Sequence, residues 1–264
     1  MTDRWFSEEE LAQLSRPTMD RAIEAIDAGD LHEARRLCAE MKHEWQMLHD
    51  LMAGGVLDLV SFIQQRLGDD GVAQAWTQSM GRGWRKHHDA IVALDRRELV
   101  GLLAATWRAH SCSGVGPNPG SFTISEDEEK VTFTMNPCGS GQRLVRNGAY
   151  EGLPDGGGTR EAHDWSFGRK GFPLYCTHCS FMNESMPIQW SGYPLYPSDP
   201  PDDYARDPCT WYWYKDPGRD PRAPLQPLRR GETAARGGRM SYGTKSYGTM
   251  TFSGFGLPSA GAWL

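Results

Sequence analysis

Between residues 112 and 120 the chain reads Cys-Ser-Gly-Val-Gly-Pro-Asn-Pro-Gly, a run that neither a helix nor a central strand can pass through. It separates two kinds of pattern. Before it, apolar residues recur at three- and four-residue steps. After it, they alternate in short bursts among glycines, prolines and aromatic residues. A helical first part must therefore join a second part made of short strands and irregular connections, which is an α+β arrangement.

In the first part, Ser7 and Glu10 have the spacing of a capping box, Pro17 suits the first turn of a second helix, and Asp30 with Glu33 opens a third. Leu31, Ala34, Cys38, Met41, Trp45, Leu48 and Met52 then form an amphipathic stripe. Gly54-Gly55 is expected to break or bend this run, and Gly68-Asp69-Asp70-Gly71 to turn it. Gly81 and Gly83 interrupt again, and Asp95 with Glu98 starts a helix carrying Leu99, Leu102, Leu103 and Trp107. Residues 1–112 are thus expected to form an antiparallel helical bundle of five or six helices. Ala28 to Ala34 is similar to half of a tetratricopeptide repeat. No second copy follows about 34 residues later, which excludes a solenoid.

Residues 113–220 are expected to form an irregular, β-rich, zinc-stabilised domain. Phe122 and Ile124, then Val131, Phe133 and Met135, alternate with polar residues on either side of the acidic turn Glu126–Glu129, which predicts a hairpin. Further strands are expected at Trp165-Ser166-Phe167, Pro173-Leu174-Tyr175 and Cys209 to Tyr214, with Gly152–Gly158 as loop. Residues 221–264 hold Arg222, Arg229, Arg230, Arg236, Arg239 and Lys245 against the one acid Glu232, and repeat Ser-Tyr-Gly-Thr. This reads as a weakly structured basic tail.

No stretch approaches the roughly 18 apolar residues of a membrane span, and Met1 to Trp5 lacks the apolar core of an export signal. The formal net charge of −6 argues against nucleic acid as a partner except through the tail. Six cysteines without an export signal point to the reducing cytoplasm, where thiolates are free to bind metals. Cys176-Thr177-His178-Cys179 is a C-x-x-C turn, which presents two sulfurs to one ion. Cys138 stands before Gly-Ser-Gly, whose glycines let backbone N–H groups point at the sulfur. Cys209 heads an aromatic strand and completes a four-thiolate set. Zinc is the expected cofactor. Four protein ligands close a structural site, and an all-thiolate shell makes a weak Lewis acid, so a structural role is preferred to a catalytic one.

Asn136-Pro137-Cys138-Gly139-Ser140-Gly141 resembles the core of the small zinc-binding SEC-C motif over six residues. That motif has a further cysteine two positions earlier and a Cys-His or Cys-Cys pair shortly after. Both are absent here, so the resemblance implies a thiolate knuckle and nothing about partners or activity.

The usual catalytic signatures (H-E-x-x-H, G-x-S-x-G, Walker A, the Rossmann fingerprint) do not occur. His43 and His49 lie about 240° apart around a helix and cannot share an ion as an i,i+4 pair would. His49, with Asp50 or Asp58 and His87 or His88, can instead line a polar pocket. Around the junction of the two parts and the cysteine turns, His163 and Asp164 are further candidates for acid–base work. Arg143, Arg146, Arg108 and Trp165 are candidates for holding an anionic or aromatic ligand. The expected function is a zinc-binding cytoplasmic enzyme, a hydrolase or lyase, acting on a small anionic or aromatic substrate in an interdomain cleft. The alternative is a non-enzymatic zinc-ribbon-like module binding protein or nucleic acid.

Overall fold

The computed structural model describes residues 5–112 and 114–216, and all of them belong to one compact unit. The tail expected at 221–264 lies outside the described residues. Within these limits the fold is mixed: helices dominate, and a small antiparallel sheet follows them, as an α+β chain requires. No described helix is long and apolar enough to cross a membrane.

Helix α1 (Glu8–Leu14) starts with the expected capping box: Ser7 Oγ accepts from the Glu10 N–H, and the Glu10 carboxylate accepts from the Ser7 N–H. Helix α2 (Thr18–Asp27) packs Ala22 and Ala25 against Ala34 and Leu37 of α3 (Leu31–Gly83), which Asp30 caps through the Glu33 N–H. Contrary to the expected break, α3 runs straight through Gly54-Gly55. Two glycines cost a helix about 1 kcal/mol each, and burial of Ala53, Leu57 and Val60 on the same turns outweighs that. The regular geometry fails once, at Gly68, with φ +70°. Helices α4 (Arg85–Val92) and α5 (Arg96–Ser111) follow, the latter capped by Asp95.

The expected hairpin forms from β1 (Phe122–Glu126) and β2 (Lys130–Met135). Its open edge takes β4 (Cys209–Tyr214), which also carries the two-residue β3 (Ser198–Asp199), giving the antiparallel order β1-β2-β4-β3. Phe133 faces Trp211, and Val131 faces Trp213, across the ladder. These residues project from one face of the sheet onto Leu99, Leu103 and Trp107 of α5, where the Trp107 and Trp211 rings meet edge-on at 3.8 Å. Period-two alternation on the sheet thus meets a helical stripe in one core.

Two expected strands are absent. Asp164–Ser166 and Leu174–Cys176 are single 3₁₀ turns. Among the described residues, pairing is limited to one antiparallel bridge between Pro173 and Gly158, and short local bonds serve the turns: Phe167 N–H to Asp164 O at 3.1 Å, Cys176 N–H to Pro173 O at 2.9 Å. Gly152–Gly158, expected as loop, contains a similar turn at Pro154–Gly157. Short helices fill much of the rest: α6 (Gly141–Arg146), then α7 (Thr177–Ser180), which passes through a wider turn at Phe181–Ser185 into α8 (Met186–Ser191). Trp165, Leu174, Tyr175 and Phe181 pack on Ala53, Leu57, Val60 and Val72 of α3, forming a second core.

Truncation on the face that packs against α5 should cost less at the edge strand than at the centre of the sheet. Phe133→Ala, in the core, is expected to cost about 3–5 kcal/mol in urea unfolding, whereas Ile124→Ala, its cross-strand partner on edge strand β1 and 47 % exposed, should cost about 1 kcal/mol or less. Equal losses would mean that the core reaches across β1 as fully as across β2.

Candidate functional site

A cavity of about 270 Å³ opens where the C-terminal end of α5 meets the 138–142 turn and the segments around 175–182 and 196–211. Its walls are mostly aromatic, with Trp107, Phe172, Tyr175, Tyr196 and Trp211 among them. Cys138, Cys176, Cys179 and Cys209 all line it, together with Ser140, His110 and His178.

The turn Cys138-Gly139-Ser140-Gly141 is held by contacts that only glycine allows. A Cβ on Gly139 would lie 1.9 Å from the Ser111 carbonyl oxygen, and one on Gly141 would lie 2.5 Å from the Cys176 sulfur. Gln142 fixes the turn from below. Its Oε1 accepts from the Cys138 N–H at 2.7 Å, and its Nε2 donates to the Asp207 carbonyl at 2.6 Å. One short stretch therefore sets Cys138 and Ser140 on the cavity wall and ties both to the chain just before β4.

Ser140, almost fully buried, is the hub of a polar cluster. His49 Nε2 lies 2.9 Å from its Oγ, His110 Nδ1 3.3 Å and Ser111 Oγ 3.4 Å, and the Tyr175 hydroxyl also bonds to it. Behind His49, Asp50 Oδ1 is 3.1 Å from Nδ1, and the buried Arg143 guanidinium reaches Asp50 at 2.5 Å and His49 Nδ1 at 2.9 Å. Asp50 and Arg143 compete for one nitrogen. A proton on Nδ1 goes to Asp50 and leaves Nε2 to accept from the Ser140 hydroxyl. A proton on Nε2 leaves Nδ1 to accept from Arg143. Burial, and then the Arg143 charge, hold His49 below its ordinary value, with Asp50 pulling the other way. Burial, and then the electrostatic influence of His49, His178 and Arg143, hold His110 low, at about 4. Both imidazoles are therefore neutral at neutral pH, as a proton acceptor must be.

The thiols sit in a dry setting. Burial pushes Cys176, Cys179 and Cys209 up, and their neighbours push further: Cys138 and Cys209 act on Cys176, and Cys176, Cys138 and Cys209 on Cys179. Cys209 Sγ accepts from Trp211 Nε1 at 2.9 Å. His178 donates its Nδ1–H to the Tyr175 carbonyl at 2.5 Å, which turns its free Nε2 to within 3.4 Å of Cys179 Sγ. Among the described residues, no group of three or more His, Cys, Asp or Glu side chains is arranged to hold a metal ion. The four cysteines all line one cavity.

The other candidates lie elsewhere. His163 Nε2 pairs with Asp69 Oδ2 at 2.8 Å and stacks on Trp165 at 4.5 Å. Asp69, just past the α3 kink, also accepts from Gln64 and from the Arg160 and Glu161 N–H groups, so this network fastens the 158–165 segment to α3. Trp165 is in the second core, and Asp164 is exposed. His87 lies against Trp84 on α4, while its neighbour His88 is buried near Ser191 and Trp190. Asp58 faces outward from α3. None of these lines the cavity, nor do Arg108 and Arg146, and Arg143 braces Ser140 and His49 from behind rather than facing the interior. Ser140 and Tyr175 were not among the residues singled out in the sequence. The one local signal for Ser140 is the glycine on each side of it.

No protein-family model matches the chain, and no curated protein or solved structure matches it either.

Burial of His49 and His110 has a consequence for stability. In the unfolded chain both titrate near the ordinary value of about 6.5, and in the folded protein lower. The unfolded state therefore binds more protons in that window, and stability falls as pH drops through it. The melting temperature should decline between about pH 7.5 and about pH 5.5, before carboxylates titrate, and the decline should shrink in His49→Gln. A melting temperature constant across the window, or a slope unchanged in the variant, would contradict the burial of these rings.

Proposed function

We propose that the protein is an enzyme of hydrolytic type that takes a small aromatic substrate into the cavity. Ser140 and His49 do the nucleophilic and proton-transfer work. The observation that carries this reading is convergence. A buried serine hydroxyl, with a neutral imidazole 2.9 Å away, faces the same aromatic-walled cavity as four thiols. A cavity of about 150 Å³ is enough for benzene, so the volume here suits a compound of one or two rings. With Nδ1–H donating to Asp50, His49 Nε2 takes the Ser140 proton as Oγ attacks an acyl carbon, and returns it to the leaving group. Water then releases the acyl group by the same route in reverse.

The reading includes zinc held by Cys138, Cys176, Cys179 and Cys209. Their chemistry fits a soft cation, because four thiols lining one cavity, three of them pushed up by burial and by one another's charge when ionised, lose protons readily only to a positive charge. When bound, the ion supplies a brace between the 138–142 turn, α7 and β4, and so stabilises the second half of the chain against the helical bundle. The reading puts such an enzyme in the cytoplasm, where thiols stay reduced.

Two measurements test this. Screened against small aryl esters and amides, the protein should turn over at least one. Ser140→Ala should then lose roughly 10³-fold or more in kcat without unfolding. Metal analysis should give about one zinc per chain, falling together with the melting temperature in Cys176→Ser. Turnover that survives Ser140→Ala removes the catalytic assignment. Protein that neither carries nor takes up zinc with all four cysteines reduced removes the metal.

A further inference from the structure

Helix α3 turns one flank to the site, and between residues 47 and 62 the opposite flank is largely uncovered by the other described residues. There Met47, Leu48, Leu51, Met52, Leu59 and Phe62 are between 54 and 73 % exposed. At about 100° per residue, Leu48, Leu51, Gly55, Leu59 and Phe62 fall within an arc of about 80°, and Glu44 and Arg66 lie on the same arc. The spacing is symmetric about Gly55: Leu51 and Leu59 stand four residues to either side, Leu48 and Phe62 seven, and Glu44 and Arg66 eleven.

We infer that this face pairs with the same face of a second copy of the chain, the two α3 helices running antiparallel across a two-fold axis at Gly55. In that register Leu51 meets the partner's Leu59, Leu48 meets the partner's Phe62, and Glu44 meets the partner's Arg66, each twice. A two-fold interface requires this self-complementarity. A parallel pairing in register sets Glu44 against Glu44 and Arg66 against Arg66, so charge selects the antiparallel arrangement.

Three further features fit. An added Cβ on Gly54 or Gly55 would meet no atom of the described residues within 4 Å, so nothing among them needs a glycine there, whereas two helix backbones meeting at a crossing point do. The charged ends are already placed: Glu44 Oε1 accepts from Thr18 Oγ1 at 2.6 Å, and the Arg66 guanidinium lies over the Phe62 ring at 5.4 Å. The area is also of the right size. Six half-exposed apolar side chains of on the order of 100 Å² each, with the backbone and charged groups between them, approach the roughly 800 Å² per partner of a standard interface. The pairing would stiffen the stretch of α3 whose other flank carries His49.

Sedimentation equilibrium of the full chain at micromolar concentration tests this. A dimer is expected. Leu51→Glu combined with Leu59→Glu should give a monomer with unchanged circular dichroism, because neither side chain packs inside the protomer. Glu44→Lys alone should weaken the dimer about tenfold, and adding Arg66→Glu should restore it. A monomeric wild-type chain overturns the inference, whether residues 217–264 or another protein cover the face. So does a dimer that survives the double glutamate variant, or a charge swap that fails to rescue.

Discussion

Arg143 is taken out of water beneath the Cys138–Gly141 turn, and its charge has to be answered there. Asp50 answers it, and the site takes its form from that pairing. Removing water from a guanidinium costs several kcal/mol, so the α6 turn is held where a carboxylate on α3 can reach it. Asp50 and His49 are adjacent on one helix, so the same constraint brings His49 Nε2 to Ser140. A contact between residues 93 positions apart thus sets the geometry of the hydroxyl, the imidazole and, through Gly139 and Gly141, the first cysteine.

The glycines make the arrangement close enough to matter. The Ser111 carbonyl sits where a Cβ at Gly139 would collide with it, and the Cys176 sulfur where one at Gly141 would. The end of α5, the turn and the C-x-x-C segment therefore approach within backbone contact. The aromatic residues of α5 and β4 close the rest of the wall. A few polar groups, Ser140, His110 and His178 among them, stand in a mostly aromatic wall, a composition that suits orienting a ligand.

What could be read beforehand followed physical type. The hairpin and β4 were legible because their alternation is local and long enough to define a buried face. Gly54-Gly55 misled because local propensity favoured a break, while burial along α3 decided otherwise. The triplets at 165 and 173 have strand composition, but only tertiary structure could show that their one pairing among the described residues is a single bridge from Gly158 to Pro173. The four-residue α7 and six-residue α6 are too short to carry a period, and contacts to α3 hold them, such as Trp76 Nε1 donating to Thr177 Oγ1. The cysteines drew notice by chemistry and spacing. Ser140 did not, because its partners lie 91 and 30 residues away and a serine between glycines is common in turns. Arg143 was read as a ligand clamp. Its burial and its pairing with Asp50 follow from the fold of α6 against α3, which no local pattern records.

The coupling between Arg143 and Asp50 tests this account most directly. A double-mutant cycle of Arg143→Met and Asp50→Asn, followed by urea unfolding, should give an interaction energy of about 2 kcal/mol, reduced from a fully buried pair because Asp50 is part-exposed. Loss of the His49–Ser140 contact should accompany either single change, visible as a shift in the His49 ring resonances. Additive effects within about 0.5 kcal/mol, with the His49 resonances unmoved, would contradict it.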